Sequence, residues 1–159
     1  MRFGAIVVAA LTVSLSALSA FAADPFVGTW KPNAEKWRLS PGSPERRKSE
    51  VIMWESAGKD QYRQTTTKID GKPTDSPPQV WIFDGNEHKF DDGRKSKTQR
   101  LDERHLRATV SSSKGTGVFD YVVSADGKTL TITRKGTATQ SGRSLDELLV
   151  YDKQPANAK

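Results

Sequence analysis

The sequence predicts an all-β fold, an antiparallel up-and-down β-barrel of eight to ten strands. Short runs rich in Val, Ile, Thr and aromatic residues recur along the chain, and Gly, Asp, Ser or Pro separates them. Most of the links are short enough to join antiparallel neighbours in a meander. Since a meander with few helices has little to cover its outer strands, closure into a barrel best satisfies their edges.

Residues 1–22 precede the first strand and have the pattern of a secretory signal peptide. Arg2 supplies the positive charge, an apolar stretch follows it, and Ala20-Phe21-Ala22 has the small-x-small form of a cleavage site. Several Ser and Thr residues interrupt the stretch, which is shorter than the ~20 apolar residues that cross a bilayer. We expect cleavage near Ala22, a periplasmic or secreted protein without a transmembrane segment, and one β-barrel domain over residues 23–159.

The strands are expected in chain order, each as a run of β-forming residues between turn signals. Their ranges are 26–31, 47–56, 60–69, 79–84, 86–91, 96–101, 104–112, 117–125, 128–137 and 145–153. Alternation is weak over residues 86–101, so eight strands and ten strands both fit. In the run 104–112, Leu106 and Ala108 share one face of the strand, and His105 and Arg107 share the other.

Two links are longer than a hairpin turn and are rich in proline. In the first, Pro32 to Arg46, one helical turn is expected at Asn33 to Trp37 with Asn33 as its N-cap, and the segment is expected to cross a barrel mouth. The second, Asp70 to Gln79, is expected to be an exposed loop.

Composition and motifs exclude several classes of function. The chain has no cysteine, which excludes disulfides, a thiol nucleophile and thiolate metal sites. Its two histidines, His88 and His105, have no third ligand at metal spacing. We find no phosphate loop, nucleophile elbow or Ser-His-Asp pattern, so we expect neither an enzyme nor a cofactor. The net charge of +6 is spread along the chain, and its basic runs lack interleaved aromatic residues, so no nucleic-acid partner is expected.

The two ends of the predicted domain resemble known barrels. The run Phe26 to Lys31 is similar to the first strand of fatty-acid-binding proteins, and Gly28-x-Trp30 resembles the Gly-x-Trp motif of lipocalins. Residues 124–137 and the run Val150 to Lys153 resemble the last three strands of the same calycin group. The resemblance implies a lipocalin-like barrel in which Gly28 and Trp30 mark the first strand.

The whole domain also resembles a bacterial family of small exported lipocalin-like proteins of largely unassigned function. The shared features are Gly28-Thr29-Trp30, Ser40-Pro41-Gly42 and residues 123–130. Two departures from fatty-acid-binding proteins limit what this implies. The first link has no room for their two-helix lid, and Leu149-x-Tyr151 stands where they often carry Arg-x-Tyr. The resemblance therefore implies the fold more strongly than the ligand.

Trp30 and Arg134 leave two interpretations open. In lipocalin-like barrels the tryptophan plugs the closed end, often under an arginine from a late strand, and Arg134 lies on the apolar face of its strand. Alternatively, Arg134 projects into a cavity and pairs with the carboxylate of a ligand, because a buried guanidinium needs an acceptor.

The other candidate ligand-binding residues are aromatic or soft side chains on separate strands. They form, together with Arg134, the predicted site: Met53, Trp54, Tyr62, Trp81, Phe83, Arg134 and Tyr151. They could line a cavity for a small apolar or amphipathic molecule such as an acyl chain, or fill the barrel as its core. The first case predicts an exported binding protein. The second predicts a packed barrel that contacts an envelope protein or polymer. The sequence leaves the oligomeric state open.

Overall fold

Ten antiparallel strands form one continuous sheet in a computed structural model, which describes residues 23–43, 48–138 and 142–156. They are β1 Gly28–Pro32, β2 Glu50–Gly58, β3 Gln61–Lys68, β4 Gln79–Ile82, β5 Asp84–Lys89, β6 Lys95–Asp102, β7 His105–Ser112, β8 Gly115–Val123, β9 Thr129–Ala138 and β10 Arg143–Lys153. The all-β barrel prediction is confirmed. The predicted signal peptide, residues 1–22, lies outside the described residues.

The sheet is closed everywhere except between β4 and β5. Its order is β4-β3-β2-β1-β10-β9-β8-β7-β6-β5, so the first and last strands of the domain pair with each other. At Phe83 the chain changes partner, because β4 pairs with β3 and β5 pairs with β6. The Phe83 amide donates to Asp60 O at 2.7 Å, which extends the pairing of β3 with β4. Thr98 Oγ1 on β6 donates to Ile82 O on β4 and so bridges the gap. The result is a nearly closed barrel.

The described residues form ten strands, although one hairpin lacks apolar alternation. In β5 and β6 the residues 84–102 pair across a turn, with Glu87 opposite Lys97 and His88 opposite Ser96. The buried positions of β6 are Ser96 and Thr98, which are polar. This explains why a hydrophobic pattern alone leaves the strand count open in this region.

The segment after β1 runs beside β10 and does not cross the barrel mouth. A 3₁₀ turn, Ala34–Lys36, occurs where one was predicted, and Asn33 is its N-cap residue. Its side chain makes no capping hydrogen bond, because Nδ2 donates to Asp152 Oδ2 at 2.9 Å. Arg38 then exchanges two backbone hydrogen bonds with Leu148, at 2.9 and 2.8 Å. The prediction of a mouth-crossing segment is therefore wrong over the described residues to Ser43. β1 has five residues and β10 has eleven, so this segment completes the edge that β1 leaves unpaired.

Trp30 fills one end of the barrel and is fully buried. Its Nε1 donates to Phe26 O at 2.9 Å, and Lys153 Nζ lies 5.0 Å from the ring centroid. Lys153 Nζ also donates to Pro25 O at 3.1 Å, and burial lowers the pKa of its ammonium. Gly28 has φ +141°, and a Cβ atom there would lie 2.7 Å from Lys153 Cε. The Gly-x-Trp motif therefore leaves space for the cation that covers the tryptophan.

Candidate functional site

The barrel interior has a filled end and a hollow end. The filled end, called here the closed end, holds the turns after β2, β6 and β8, and its interior is packed with aromatic rings: Phe26, Trp30, Trp54, Tyr62 and Phe83. Toward the other end, the open end, the interior encloses a cavity of about 270 Å³. The two alternatives left by the sequence, a packed core and a cavity, therefore each describe one half of the barrel.

Most of the residues that line the cavity are apolar or aromatic, and most of these occupy inward positions of the strands. Because β7, β8, β9 and β10 pair in register, their inward side chains form one continuous surface. The apolar and aromatic lining residues are Ile52, Trp54, Pro77, Trp81, Val110, Phe119, Tyr121, Ile132, Leu149 and Tyr151. Such a surface favours the hydrocarbon part of a ligand over water.

The polar part of the lining lies on one side of the cavity. It comes from β2, β3, β4, the loop before β4 and the turn between β5 and β6: Glu50, Gln64, Thr66, Ser76, Gln79 and Arg94. All but Gln64 lie at or near the open-end termini of their elements. Gln64 is deeper, and its Oε1 accepts a hydrogen bond from Trp81 Nε1 at 2.8 Å. We call the other five residues the polar rim.

Arg94 is the single cation among the described lining residues, and its side chain is held in place. Its Nε donates to Asp92 Oδ2 at 2.6 Å, and its guanidinium carbon lies 5.0 Å from the centroid of the Phe90 ring. Phe90 in turn packs edge-on against Trp81, with centroids 5.5 Å apart. The Arg94 side chain is 32% exposed. The charge is therefore anchored at the rim against the aromatic wall.

Three of the predicted site residues, Trp54, Trp81 and Tyr151, line the cavity. Tyr62 and Phe83 are also buried, but they pack below it in the closed end. Met53 is on the other face of β2, because it lies between the buried residues Ile52 and Trp54. The prediction of Met53 as an inward residue is therefore wrong, and Ile52 takes that role.

Arg134 does not cover Trp30, so that prediction is wrong. Its guanidinium carbon lies 5.4 Å from the centroid of Phe119, and Nη1 donates to Glu147 Oε2 at 3.4 Å. Glu147 is almost fully buried and also accepts a hydrogen bond from Ser43. Phe119 on β8 and Glu147 on β10 are the register partners of Arg134, so all three side chains meet on one face. Arg134 therefore lies on the inner face of β9 without lining the cavity, and its carboxylate partner comes from its own chain.

Arg94 is not among the residues predicted to bind a ligand, because it lies between two predicted strands in a basic run without interleaved aromatic residues. A usable signal was present in Phe90 and Arg94, which flank an Asp-Asp-Gly turn. A tight turn of this kind brings its two flanking residues together. The cation and the aromatic ring could therefore have been placed in contact before the structure was known.

A network of polar groups joins the closed end to the outside. Tyr62 OH donates to Asp24 Oδ2 and accepts from Arg100 Nη2, and Arg100 Nε donates to Asp60 Oδ1 at 2.8 Å. Asp24, Asp60 and Arg100 border an open cleft of about 1000 Å³ on the outer side of the closed end. Phe83 lines this cleft and packs on Trp54, which lines the inner cavity, so aromatic rings lie between the two spaces.

We expect the stability of the protein to fall at high pH through Tyr62. Burial, followed by the hydrogen bond to Asp24, raises the pKa of the Tyr62 phenol above its usual value. Above the unfolded-state pKa of about 10 the unfolded chain loses this proton while the folded chain keeps it. Stability should be unaffected below that pH and should then fall by up to about 1.4 kcal/mol per pH unit.

Denaturant titrations of the wild type and Tyr62→Phe between pH 8 and pH 11.5 measure this effect. The free energy of unfolding should decline less steeply in the variant, which has no phenol to ionise at this position. Parallel curves for the two proteins would show that Tyr62 does not carry the alkaline loss of stability.

The two histidines form pairs on the barrel surface. His88 Nε2 lies 2.9 Å from Asp84 Oδ1, and this contact, followed by the Asn86 amide, lowers the pKa of the Asp84 carboxyl to about 2. His105 Nε2 lies 2.8 Å from Asp120 Oδ1, which Arg107 also contacts. Over the described ranges no group of three potential metal-ligating side chains occurs, and no helix there is long and apolar enough to cross a membrane.

Comparison with known proteins identifies the barrel type. No protein-family model matches the chain, and no curated protein matches its sequence. An abundant heat soluble (SAHS) protein from Ramazzottius varieornatus superposes with a TM-score of 0.58 at 16% identity, covering 82% of this chain and 96% of that one. The Schistosoma mansoni fatty acid binding protein in complex with arachidonic acid gives 0.53 at 17% identity, covering 82% and 97%.

The zebrafish ileal bile acid-binding protein complexed with cholic acid is a third example, with a TM-score of 0.51 at 16% identity. It covers 82% of this chain and 99% of the zebrafish chain. At these identities a superposition shows the fold alone. The chain therefore shares the nearly closed β-barrel of the fatty-acid-binding and SAHS proteins.

Proposed function

We propose that the protein is exported and binds a small apolar or amphipathic molecule inside its barrel, without catalysing a reaction. The observation that carries this proposal is the cavity of about 270 Å³, which is lined by apolar and aromatic residues together with a polar rim on one side. Binding cavities commonly combine a mostly apolar lining with a few polar groups that orient the ligand. Two solved structures with the same fold are complexes with arachidonic acid and with cholic acid, which supports a ligand-binding role for this barrel.

The volume of the cavity limits the size of the ligand. A water molecule occupies ~30 Å³ in the liquid. At that volume per non-hydrogen atom, a cavity of 270 Å³ holds roughly nine such atoms. This is just below the ~300 Å³ at which typical ligand pockets begin. Arachidonic and cholic acids are both larger than that. We therefore expect a short ligand, such as an acyl chain of about eight to ten carbons.

The lining residues favour binding over chemistry. The ionisable groups among the described lining residues are Glu50, Arg94 and two tyrosines. Trp54 Nε1 has no hydrogen-bond acceptor among the described residues, and the indole packs against four other aromatic rings. No nucleophile next to a general base lies in this set, which is the pairing that covalent catalysis requires.

Export rests on residues 1–22, whose pattern is that of a cleaved signal peptide. A periplasmic or secreted barrel would meet its ligand outside the cytoplasm. Sequencing of the N-terminus of protein recovered from the host tests this part, and Ala23 as the first residue is the expected result.

Filling the cavity tests the binding function. Val110→Trp places a larger side chain into the space that Val110 lines. We expect decanoic acid to bind the wild type measurably in isothermal titration calorimetry, and to bind the variant at least tenfold more weakly. Because the new ring occupies empty volume, the melting temperature should change by only a few degrees, since overpacking costs about 1–3 kcal/mol only where space is already filled.

The matched control is Thr109→Trp, which changes the neighbouring exposed position on the outer face of β7. It should bind decanoic acid as the wild type does. Native mass spectrometry of the protein from its own host should in addition show a co-purifying small molecule. Equal binding by Val110→Trp and the wild type, or an empty protein that binds no amphiphile, would instead favour a barrel that acts through its surface.

A further inference from the structure

The charged and amide side chains of the cavity lie on one side only, which gives it a direction. Register places Glu50 opposite Lys68, Ile52 opposite Thr66, and Trp54 opposite Gln64, in order from the open end inward. Arg94 lies in the turn between β5 and β6, which is also at the open end. A ligand with one polar group can therefore satisfy both parts of the lining only with that group at the rim and its apolar part inside.

We propose that Arg94 recognises the head group of this ligand, and that the ligand is a short amphiphile with one carboxylate. The inference rests on the proposed function and specifies its substrate class. A guanidinium presents planar N–H donors that match the two oxygens of a carboxylate. Arg94 uses Nε for Asp92, and among the described residues its terminal nitrogens have no hydrogen-bond partner. The donors best suited to a carboxylate therefore remain open at the rim.

The position of Arg94 makes this contact selective. The side chain is about two-thirds buried, so a charge-assisted hydrogen bond there is less screened than on an open surface. Its stacking on Phe90 limits the freedom that binding would otherwise remove. If the carboxylate of a ligand binds Arg94, its hydrocarbon chain can extend into the cavity past Trp81, which packs against Phe90 and lines the cavity.

Other arginines of the interior are engaged within the chain. Arg134 pairs with Glu147 behind Phe119, and Arg100 contacts Asp24 and Asp60 at the closed end. Glu50 is the other charged residue of the rim, so it would favour a cationic head group. A choice between Arg94 and Glu50 is therefore a choice between an anionic and a cationic amphiphile, and matched probes can decide it.

Three probes with the same chain length test the proposal: decanoate, decanol and decylamine. In the wild type at pH 7.5 and low salt we expect decanoate to bind best and decylamine worst. Arg94→Gln should weaken decanoate binding by about tenfold or more, which is the loss expected for one charge-assisted hydrogen bond. The affinity for decanol should stay within about twofold. Isothermal titration calorimetry measures all of these affinities.

The matched control is Arg63→Gln, which removes an arginine from an exposed, outward position of β3 and should leave all three affinities unchanged. Equal loss of decanoate affinity in both variants would show that the loss comes from the change in net charge, and it would overturn the proposal. Preference of the wild type for decylamine, or unchanged decanoate binding by Arg94→Gln, would overturn it as well.

The failure of this inference can be distinguished from that of the proposed function. If the wild type binds decanol and decanoate equally and Arg94→Gln changes neither affinity, the cavity binds ligands but Arg94 does not select them. If the wild type binds none of the three probes, the proposed function fails and the proposal for Arg94 fails with it.

Discussion

Replacement of Trp30 by alanine should lower the free energy of unfolding by about 3–5 kcal/mol, the range measured for large aromatic residues in protein cores. Trp30 is fully buried. The variant also removes the hydrogen bond from the indole N–H to Phe26 O and the cation–π contact with Lys153. Since the free energy of unfolding of a small domain is about 5–15 kcal/mol in total, much of the stability of the barrel would be lost. Urea denaturation followed by circular dichroism measures the change.

Trp37→Ala is the matched control, because it removes the same side chain from a half-buried position. Trp37 donates to Val150 O at 2.7 Å and packs against Tyr151, so its loss should cost less than the loss of Trp30. A larger effect at Trp37 than at Trp30 would contradict the assignment of Trp30 as the plug of the closed end. Lys153→Met should cost far less than either, in line with the ~0.5–2 kcal/mol of a cation–π contact.

The strands could be predicted because each one is specified by its own residues. Every run of β-forming side chains in the described part of the chain became a strand, and the short links became turns. The register of β1 against β10 and the gap beside Phe83 were not predictable in this way. Both depend on contacts between residues far apart in the chain, and alternation within a strand carries no information about its partner.

The same limit explains the error at Arg134. Alternation correctly placed Arg134 on the inner face of β9 but could not give its height along the barrel axis. Register determines that height, because Arg134 is opposite Phe119 and Glu147, whereas Trp30 is directly opposite Lys153. A cation from a late strand does cover the tryptophan, as the resemblance implied, but a different residue supplies it.

Met53 and Arg94 show two other limits. Met53 and Trp54 are adjacent in one strand, so both could not face inward, and this conflict was present in the sequence itself. Arg94 lies in a turn, where the alternation of inward and outward side chains no longer applies. Its side chain stacks on Phe90 and lines the cavity. Binding residues that project from turns are therefore the hardest part of such a barrel to predict.

Gly136→Ala should destabilise the barrel by about 3 kcal/mol, the upper end of the cost of overpacking. A Cβ atom at Gly136 would lie 2.1 Å from Thr116 O and 2.7 Å from Gly117 Cα. Both are backbone atoms, so no change of rotamer can relieve the contact, and β8 and β9 would have to separate. Chemical denaturation measures the loss of stability, and hydrogen exchange of the β8 and β9 amides locates it.

Gly117→Ala provides a close control, since Gly117 is the register partner of Gly136 on the neighbouring strand. A Cβ atom there would first meet Phe119 Cε2 at 3.4 Å and Lys135 O at 3.5 Å, which are near ordinary contact distances. Both substitutions reduce the conformational entropy of the unfolded chain to the same extent. This effect alone stabilises the folded protein by about 0.4–1 kcal/mol. The difference between the two variants therefore reports the backbone contact alone. Equal stability would mean that the two strands can separate at this point without loss, and that their close approach is not needed to shape the barrel wall next to Phe119.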